Sequence, residues 1–311
     1  MSQHRTSRRN YSAISGNVPE LAPFTFARYT VACERHPDRN EDSVIADVRN
    51  GLAAVFDGVG GSAAGEIASQ IAARSTRQNW KQTLQKMHKG RASHTLLDNC
   101  NNINLFNLLQ ELILDADEKV RTDGARRAGT DDLATTVALA TLCRDSSQSG
   151  YIMTYAHVGD SRAYLLRGRD PILRLTNDDG LLGKLVENQI VNEEDAMRID
   201  QAMYSDQMTD VEFSYFRLRG GITQALGGPI PPTIHINQIP IYPGDRILLC
   251  TDGIHDNLTD VEIEEILHQG ARTTVARQLV EHAVARSRQE RSQTVRAKPD
   301  DMSAVVVTCR F

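Results

Sequence analysis

Gly51-Leu52-Ala53-Ala54-Val55-Phe56-Asp57-Gly58-Val59-Gly60-Gly61-Ser62-Ala63-Ala64-Gly65-Glu66 is the stretch from which the rest of the chain is read. An apolar run of strand formers ends at Asp57-Gly58, glycines follow, and a helix-compatible run begins at Ser62. A short apolar run bounded by turn residues reads as a buried strand. An acid where such a strand emerges has its backbone held by the sheet and its carboxylate aimed out of the edge. Gly58 lets the backbone turn sharply and lets another group approach its carbonyl closely. The same grammar returns in Ile247-Leu248-Leu249-Cys250-Thr251-Asp252-Gly253. Two such acids from distant parts of one chain predict a site assembled by folding.

Working outward from this strand, the pattern predicts strands at 24–33 and 43–47, and a long helix over 62–87. A polar loop at 89–102 and a helix over 105–120 follow, the latter from Leu105, Phe106, Leu108, Leu109, Leu112 and Ile113 at helical spacing. Strands are expected at 134–142, 151–158 and 162–166, then a helical, acidic stretch over 177–207. Strands at 233–239 and 246–250, helices at 260–268 and 273–288, and a strand at 302–308 complete the reading. Strands come in clusters separated by pairs of helices, without βαβ alternation. The expected class is therefore α+β, with antiparallel sheets flanked by helices rather than a doubly wound parallel sheet. Residues 1–22, rich in Ser, Arg, Asn and Gly, read as a flexible tail, and 23–311 as a single domain.

The chain has 311 residues, 40% hydrophobic and 24% charged, as an ordinary globular protein does. A net charge of -5 speaks against a nucleic-acid partner, which favours a basic excess. No apolar run approaches the ~20 residues that cross a bilayer. The basic, polar start lacks an apolar h-region, so a cytoplasmic protein is expected, without membrane partner. Cys33, Cys100, Cys143, Cys250 and Cys309 are odd in number and dispersed, which predicts reduced, buried thiols.

Gly58-x-Gly60-x-x-Ala63 between strand and helix matches a dinucleotide fingerprint in outline. Asp57 directly before it would repel a pyrophosphate, however, and Gln78-Asn79-Trp80-Lys81 stands where the fingerprint wants an acid. The acids form a more coherent set. Glu41-Asp42, Asp57, Asp131-Asp132, Asp160, Asp252 and Asp300-Asp301 all stand where apolar runs meet loops. Singly, each reads as a cap or turn residue. Gathered together, carboxylates repel unless a cation lies between them. Oxygen donors without His or Cys select hard ions, Mg²⁺ or Mn²⁺. Two such ions side by side activate water and hold a phosphoryl group in line.

At this point the chain resembles the PPM family, the metal-dependent serine/threonine protein phosphatases of bacterial type. The matching residues are Asn40-Glu41-Asp42-Ser43, Asp57-Gly58-Val59-Gly60-Gly61, Ala134-Thr135-Thr136 after Asp131, and Gly159-Asp160-Ser161-Arg162. Thr223-Gln224-Ala225-Leu226-Gly227, Thr251-Asp252-Gly253 and Asp300-Asp301-Met302-Ser303 follow in the family's order. The resemblance implies a four-layer α-β-β-α sandwich with a binuclear Mn²⁺/Mg²⁺ centre at one end. Asp57 would bridge the metals, Gly58 would offer its carbonyl, and Asp252 and Asp300 would complete one metal. Glu41 and Asp42 would serve the other directly or through water. Asp131 matches the position that helps hold a third, weaker metal, with Asp132 beside it as a substitute; Asp160 could belong to a structural turn. Metal-activated water would attack the phosphoester without a phosphoenzyme. The implied substrate is a phosphoserine or phosphothreonine protein, with a Ser/Thr kinase in opposition and the enzyme a monomer.

The chain departs from the family pattern in places. Pro37 stands four residues before Glu41, where the family commonly has a phosphate-binding arginine. Arg35 or Arg39 would supply that guanidinium, with Arg39 favoured. Val59 follows Asp57-Gly58 where many eukaryotic members carry a proton-donating His, so water takes that role. His255 is a remote alternative, read instead as a surface histidine at a helix start. Residues 177–221 align with the family's flap, and 89–105 and 286–298 read as surface insertions. A rival reading is a pseudophosphatase that binds phosphoprotein as a regulatory module. Another is a metallohydrolase of small phosphate compounds.

Overall fold

The computed structural model describes residues 23–59, 64–87, 104–145 and 150–310. The expectations for the 1–22 tail, the 89–102 loop and Gly60-Gly61 lie outside the described residues. The chain runs through β1 (Phe24–Val31), β2 (Asp42–Asp47), β3 (Leu52–Val59), α1 (Ala64–Met87) and α2 (Leu105–Lys119). A π-helical turn (Val120–Gly124), α3 (Ala125–Ala128), β4 (Ala134–Thr135), β5 (Val137–Asp145), β6 (Gly150–Val158), β7 (Arg162–Leu166) and β8 (Leu173–Arg174) follow. Then come α4 (Leu181–Glu187), α5 (Glu193–Asp200), α6 (Asp210–Phe216), β9 (His235–Ile241) and β10 (Arg246–Cys250). The described chain closes with α7 (Asp252–His255), α8 (Asp260–Gln269), α9 (Val275–Ser287) and β11 (Met302–Cys309).

One sheet has the order β1-β11-β10-β7-β8; the other has β2-β3-β5-β6-β9, with β4 paired to β3. Every pairing is antiparallel. Side-chain alternation builds the layers. On β3, Ala53 and Val55 join Ile247, Leu249, Val305 and Val307 of the other sheet in the core between the sheets. Leu52, Ala54 and Phe56 point the opposite way, onto Trp80 of α1 and Leu109 and Leu112 of α2. On the far side, Leu248, Cys250, Ala304 and Val306 pack against Leu267, Leu279 and Val280 of α8 and α9. Both faces of the central strands are covered, which is why their sequences read as unbroken apolar runs. The result is the expected α-β-β-α sandwich.

Several expectations are corrected. β3 does not stop at Asp57-Gly58: Asp57 pairs with Asp42, and Gly58 and Val59 pair with β4, so partners on both sides keep the backbone extended. The strand expected over 134–142 is broken at Thr136, whose N–H bonds the Asp57 carbonyl at 2.8 Å instead of continuing the ladder. The acidic stretch extends beyond 207 through α6, and its helices enclose a small core of Leu182, Val191, Ala196, Ile199, Ala202 and Phe216. The 286–298 stretch is no surface insertion. Arg296 is fully buried and donates to the carbonyls of Asp200, His255 and Leu258. Cys33, Cys250 and Cys309 are free and buried as expected, whereas Cys143 is disulfide-bonded. No helix among the described residues is long and apolar enough to cross a membrane.

Candidate metal centre

The alternation that buries Val55 and Val44 in the inter-sheet core places the next residue but one on each strand, Asp57 and Asp42, on the same inner face. The two are directly opposite in the β2–β3 register. On the facing sheet, Leu249 is followed at the same spacing by Thr251, whose hydroxyl donates to Asp42 Oδ2 at 2.8 Å. Asp252 follows immediately as the first residue of α7. Along β11 the inner-facing Val305 is preceded at that spacing by Ser303 and Asp301. The gap between the sheets therefore changes from apolar to acidic at one end.

Asp301 is a buried brace. Its two carboxylate oxygens accept from the backbone N–H groups of Cys33 and Glu41, each at 2.6 Å, which fixes the loop carrying Arg39 and Glu41. The Glu41 carbonyl accepts from Gly58 N at 3.0 Å. Gly58 has no room for a side chain: a Cβ there would meet the backbone oxygen of Gly65 at 2.2 Å and that of Glu41 at 2.6 Å. We expect Gly58→Ala to force β3 away from the start of α1. Overpacking of this kind costs about 1–3 kcal/mol or more. Thermal unfolding together with a Mn²⁺ titration checks this, since both stability and metal affinity should fall.

The electrostatics are those of a site that wants cations. Asp57 is held well above the usual carboxylate range, first by burial and then by Asp252, Asp42, Asp300 and Asp160. Its carboxylate makes no hydrogen bond or ion pair among the described residues. Asp42 is only 7% exposed and is raised by burial despite its bonds to hydroxyls; its Oδ1 is buried with no partner. Asp160 is raised by burial and by Asp252, and Glu41 by burial against the pull of Arg39. Acids left charged and unpaired in such a place are costly unless an ion joins them. Lys298 acts as a stand-in: its ammonium lies 2.5 Å from Asp252, 2.8 Å from Asp256 and 3.0 Å from Asp300. Burial works to lower the Lys298 pKa, and the three carboxylates outweigh it and raise it well above the ordinary value. The donors are all oxygen, which fits Mn²⁺ or Mg²⁺.

Asp42, Asp57, Asp252 and Asp300 are thus brought together, with Glu41 at their edge. Arg39 lies against Glu41 at 3.2 Å, while Arg35 is exposed. Asp131 and Asp132 are exposed, and neither carboxylate has a partner among the described residues. His255 is not the surface residue expected: it is buried, and its ring bonds the Asp160 carbonyl at 3.0 Å. Burial lowers its pKa to about 4, so it stays neutral and structural. Lys298 and Asp256 were not singled out from sequence, while Thr251 and Asp301 were quoted in motifs without the roles found here. Only the position of Lys298 two residues before Asp300, and of Thr251 directly before Asp252, could have flagged them.

The class defined by this sandwich and its acid-lined end is a metal-dependent hydrolase. Residues 32–298 match the protein phosphatase 2C family, and the chain belongs to that family. It is 26% identical over 234 residues to the serine/threonine phosphatase Stp of Listeria innocua, covering 75% of this chain and 78% of that one. It is 29% identical over 267 residues to the serine/threonine protein phosphatase PstP of Mycobacterium tuberculosis, covering 83% of this chain and 42% of the relative. The fold is that of the PstP catalytic domain solved with two manganese ions, at a TM-score of 0.63 and 24% identity, covering 93% of this chain and 99% of that one. It is equally that of PppA, a type VI secretion regulator from Pseudomonas aeruginosa, at 0.64 and 21%, covering 92% and 97%.

Proposed function

We propose that this chain is a serine/threonine phosphoprotein phosphatase whose binuclear Mn²⁺ or Mg²⁺ centre is held by Asp57, Asp252, Asp300, Glu41, Asp42 and the Gly58 carbonyl. The observation that carries the reading is the meeting of Asp42 on β2, Asp57 on β3, Asp252 at the start of α7 and Asp300 before β11, with the Asp57 carboxylate lacking any partner among the described residues. Bound there, the ions supply an activated water and positive charge for the phosphoryl oxygens. Asp57, close enough to Asp252, Asp42 and Asp300 for each of them to raise its pKa, would be the central ligand of the ions. Arg39, beside Glu41, presents a planar fork to the phosphate oxygens at the mouth of the site. Asp301 keeps that loop in register through its two backbone bonds. Asp131, exposed and without a partner among the described residues, would be the donor for a third, weaker ion. With His255 buried and neutral, solvent protonates the leaving serine or threonine oxygen.

The test is hydrolysis of a phosphothreonine peptide by the purified chain, titrated with Mn²⁺ and Mg²⁺ and stripped with EDTA. Turnover that requires metal is expected; a folded protein that binds metal and never turns over would return the regulatory-module reading. A small-phosphate comparison of kcat/KM separates the phosphoprotein substrate from the metabolite alternative.

Lys298 competes with the ions for Asp252 and Asp300. Removing one positive charge a few ångströms from a cation is worth at least about tenfold in affinity even when partly screened by solvent. Lys298→Met is therefore expected to tighten Mn²⁺ binding by calorimetry, and unchanged or weaker binding would contradict the stand-in role.

The relatives' names support a phosphoprotein substrate, and we place the enzyme opposite a Ser/Thr kinase as a cytoplasmic monomer. Free Cys33, Cys250 and Cys309 suit a reducing compartment, while the Cys143 disulfide points the other way. Thiol counting on protein trapped in cells and light scattering of the purified chain test the two assignments.

A further inference from the structure

His157, Asp179 and His235 form a second cluster whose chemistry differs from that of the acidic centre. One ligand atom from each lies within 4.8 Å of the other two. His157 is near the end of β6, and His235 opens β9 directly opposite it in register. Their rings are stacked, with centroids 4.8 Å apart and planes 21° from parallel. Asp179 enters on the segment between β8 and α4. Its Oδ1 is 2.9 Å from His235 Nε2, and its Oδ2 accepts from Gly159 N at 2.9 Å.

The state of His157 is specified by its surroundings. It is only 4% exposed, and its Nε2 lies 2.8 Å from the Asn177 carbonyl. A carbonyl can only accept, so Nε2 carries the proton and Nδ1 keeps a free lone pair. That Nδ1 is buried and has no hydrogen-bond partner. Burial also lowers the His157 pKa, against the opposing effects of the Asn177 carbonyl and Asp179, so the ring is poorly placed to take a second proton. A neutral imidazole whose other N–H is tied to a backbone carbonyl is the arrangement in which proteins hold histidine metal ligands. Two imidazoles and one carboxylate suit Zn²⁺ and its borderline neighbours, not the hard ions of an all-oxygen set.

We propose that His157, Asp179 and His235 bind a single zinc-class transition-metal ion, separately from the acidic centre. The site would act on the flap. The backbone of Asp179 is bonded to Gly159 on one side and to Thr223 on the other, at 3.0 Å and 2.7 Å, so it ties the entry and exit of the 177–221 segment to β6. An ion joining Asp179 to β6 and β9 fastens the base of the flap. Zinc occupancy then modulates access to the acidic end without supplying a catalytic ligand.

The experiment is a Zn²⁺ titration of the 311-residue chain in saturating Mg²⁺, with Co²⁺ as a spectroscopic probe. Wild type is expected to take up one equivalent, to show visible Co²⁺ absorption typical of nitrogen ligation, and to unfold at higher temperature with Zn²⁺ present. His235→Ala removes a half-exposed ring and should lose all three signals while keeping its Mg²⁺-dependent phosphatase activity. Asp179→Asn, which preserves shape, should weaken the same equivalent and serves if His235→Ala misfolds. Asp57→Asn should retain it. The proposal is overturned if wild type takes up no equivalent in Mg²⁺, if both variants bind as wild type does, or if Asp57→Asn abolishes the uptake.

Discussion

Asp57→Asn should abolish metal-dependent hydrolysis of a phosphothreonine peptide while leaving the protein folded. Lewis-acid stabilisation is worth several kcal/mol, and about 1.4 kcal/mol is tenfold in rate, so a fall in kcat of about three orders of magnitude or more is expected. The folded state should not suffer. The Asp57 carboxylate makes no bond among the described residues, and burial with four neighbouring acids holds its pKa up. An acid whose folded pKa is raised destabilises the fold where it must be ionised, so a neutral amide relieves the metal-free protein. Without metal the variant should therefore melt at or above the wild-type temperature. With metal the order should reverse, because an ion at a hundred times its Kd adds about 2.7 kcal/mol to the form that binds it. A variant that still hydrolyses the peptide at near wild-type rate would sink the assignment of Asp57 as the central ligand.

The largest expected stability effect lies away from the chemistry, at Arg162. This guanidinium is buried, contacts Asp178 at 2.6 Å and Asp200 at 3.0 Å, and its Nη1 donates to the Tyr164 hydroxyl at 3.2 Å. Asp178 lies near the start of the 177–221 segment and Asp200 ends α5, so Arg162 pins that segment to β7. Arg162→Met leaves two buried carboxylates without their main counter-charge, and breaking such a group costs about 3–5 kcal/mol. Burial, the largest single influence, would raise both acids, but Arg162 together with Arg174, and for Asp200 also Arg219 and Arg296, outweighs it, lowering Asp178 and bringing Asp200 well below its ordinary value. Stability from depressed carboxylates is present above the unfolded pKa near ~3.9 and is lost as pH falls through the folded values. In the variant both acids lose the largest of their counter-charges and shift upward, so protonation relieves them. The gap between variant and wild type, by denaturant unfolding, should narrow from pH 7 to pH 5. A gap below about 1 kcal/mol at pH 7, the ordinary scale of surface pairs, would show that Arg162 does not hold the 177–221 segment.

Much of the centre was legible in sequence because strand periodicity is strict. An apolar strand running into Asp-Gly sets its acid at the end of the sheet: Asp57 stays within β3, while Asp252, two residues beyond β10, opens α7. The class of fold followed from the clustering of strands. What stayed hidden depends on contacts across long separations. Lys298 sits in a basic, polar stretch that looks solvated, yet it enters the acid cluster. Arg296 beside it is buried because unpaired carbonyls at the ends of α5 and α7 need a donor. His255 reads as a surface residue because helix starts are usually exposed; here α7 packs against β10, β11 and α9, and the ring is turned in to the Asp160 carbonyl. The Cys143 disulfide was missed because spacing along the chain says nothing about which thiols meet.

The sequence by itself determined the α+β class, the acids that could hold hard ions, and the family they resemble, because local periodicity and residue chemistry carry that information. Only the tertiary structure decided which acids share a site, that Lys298 stands among them, that Asp301 is a brace, and that His157 and His235 face each other across β6 and β9. Each of those depends on strand register and layer packing, which bring together residues tens to hundreds of positions apart.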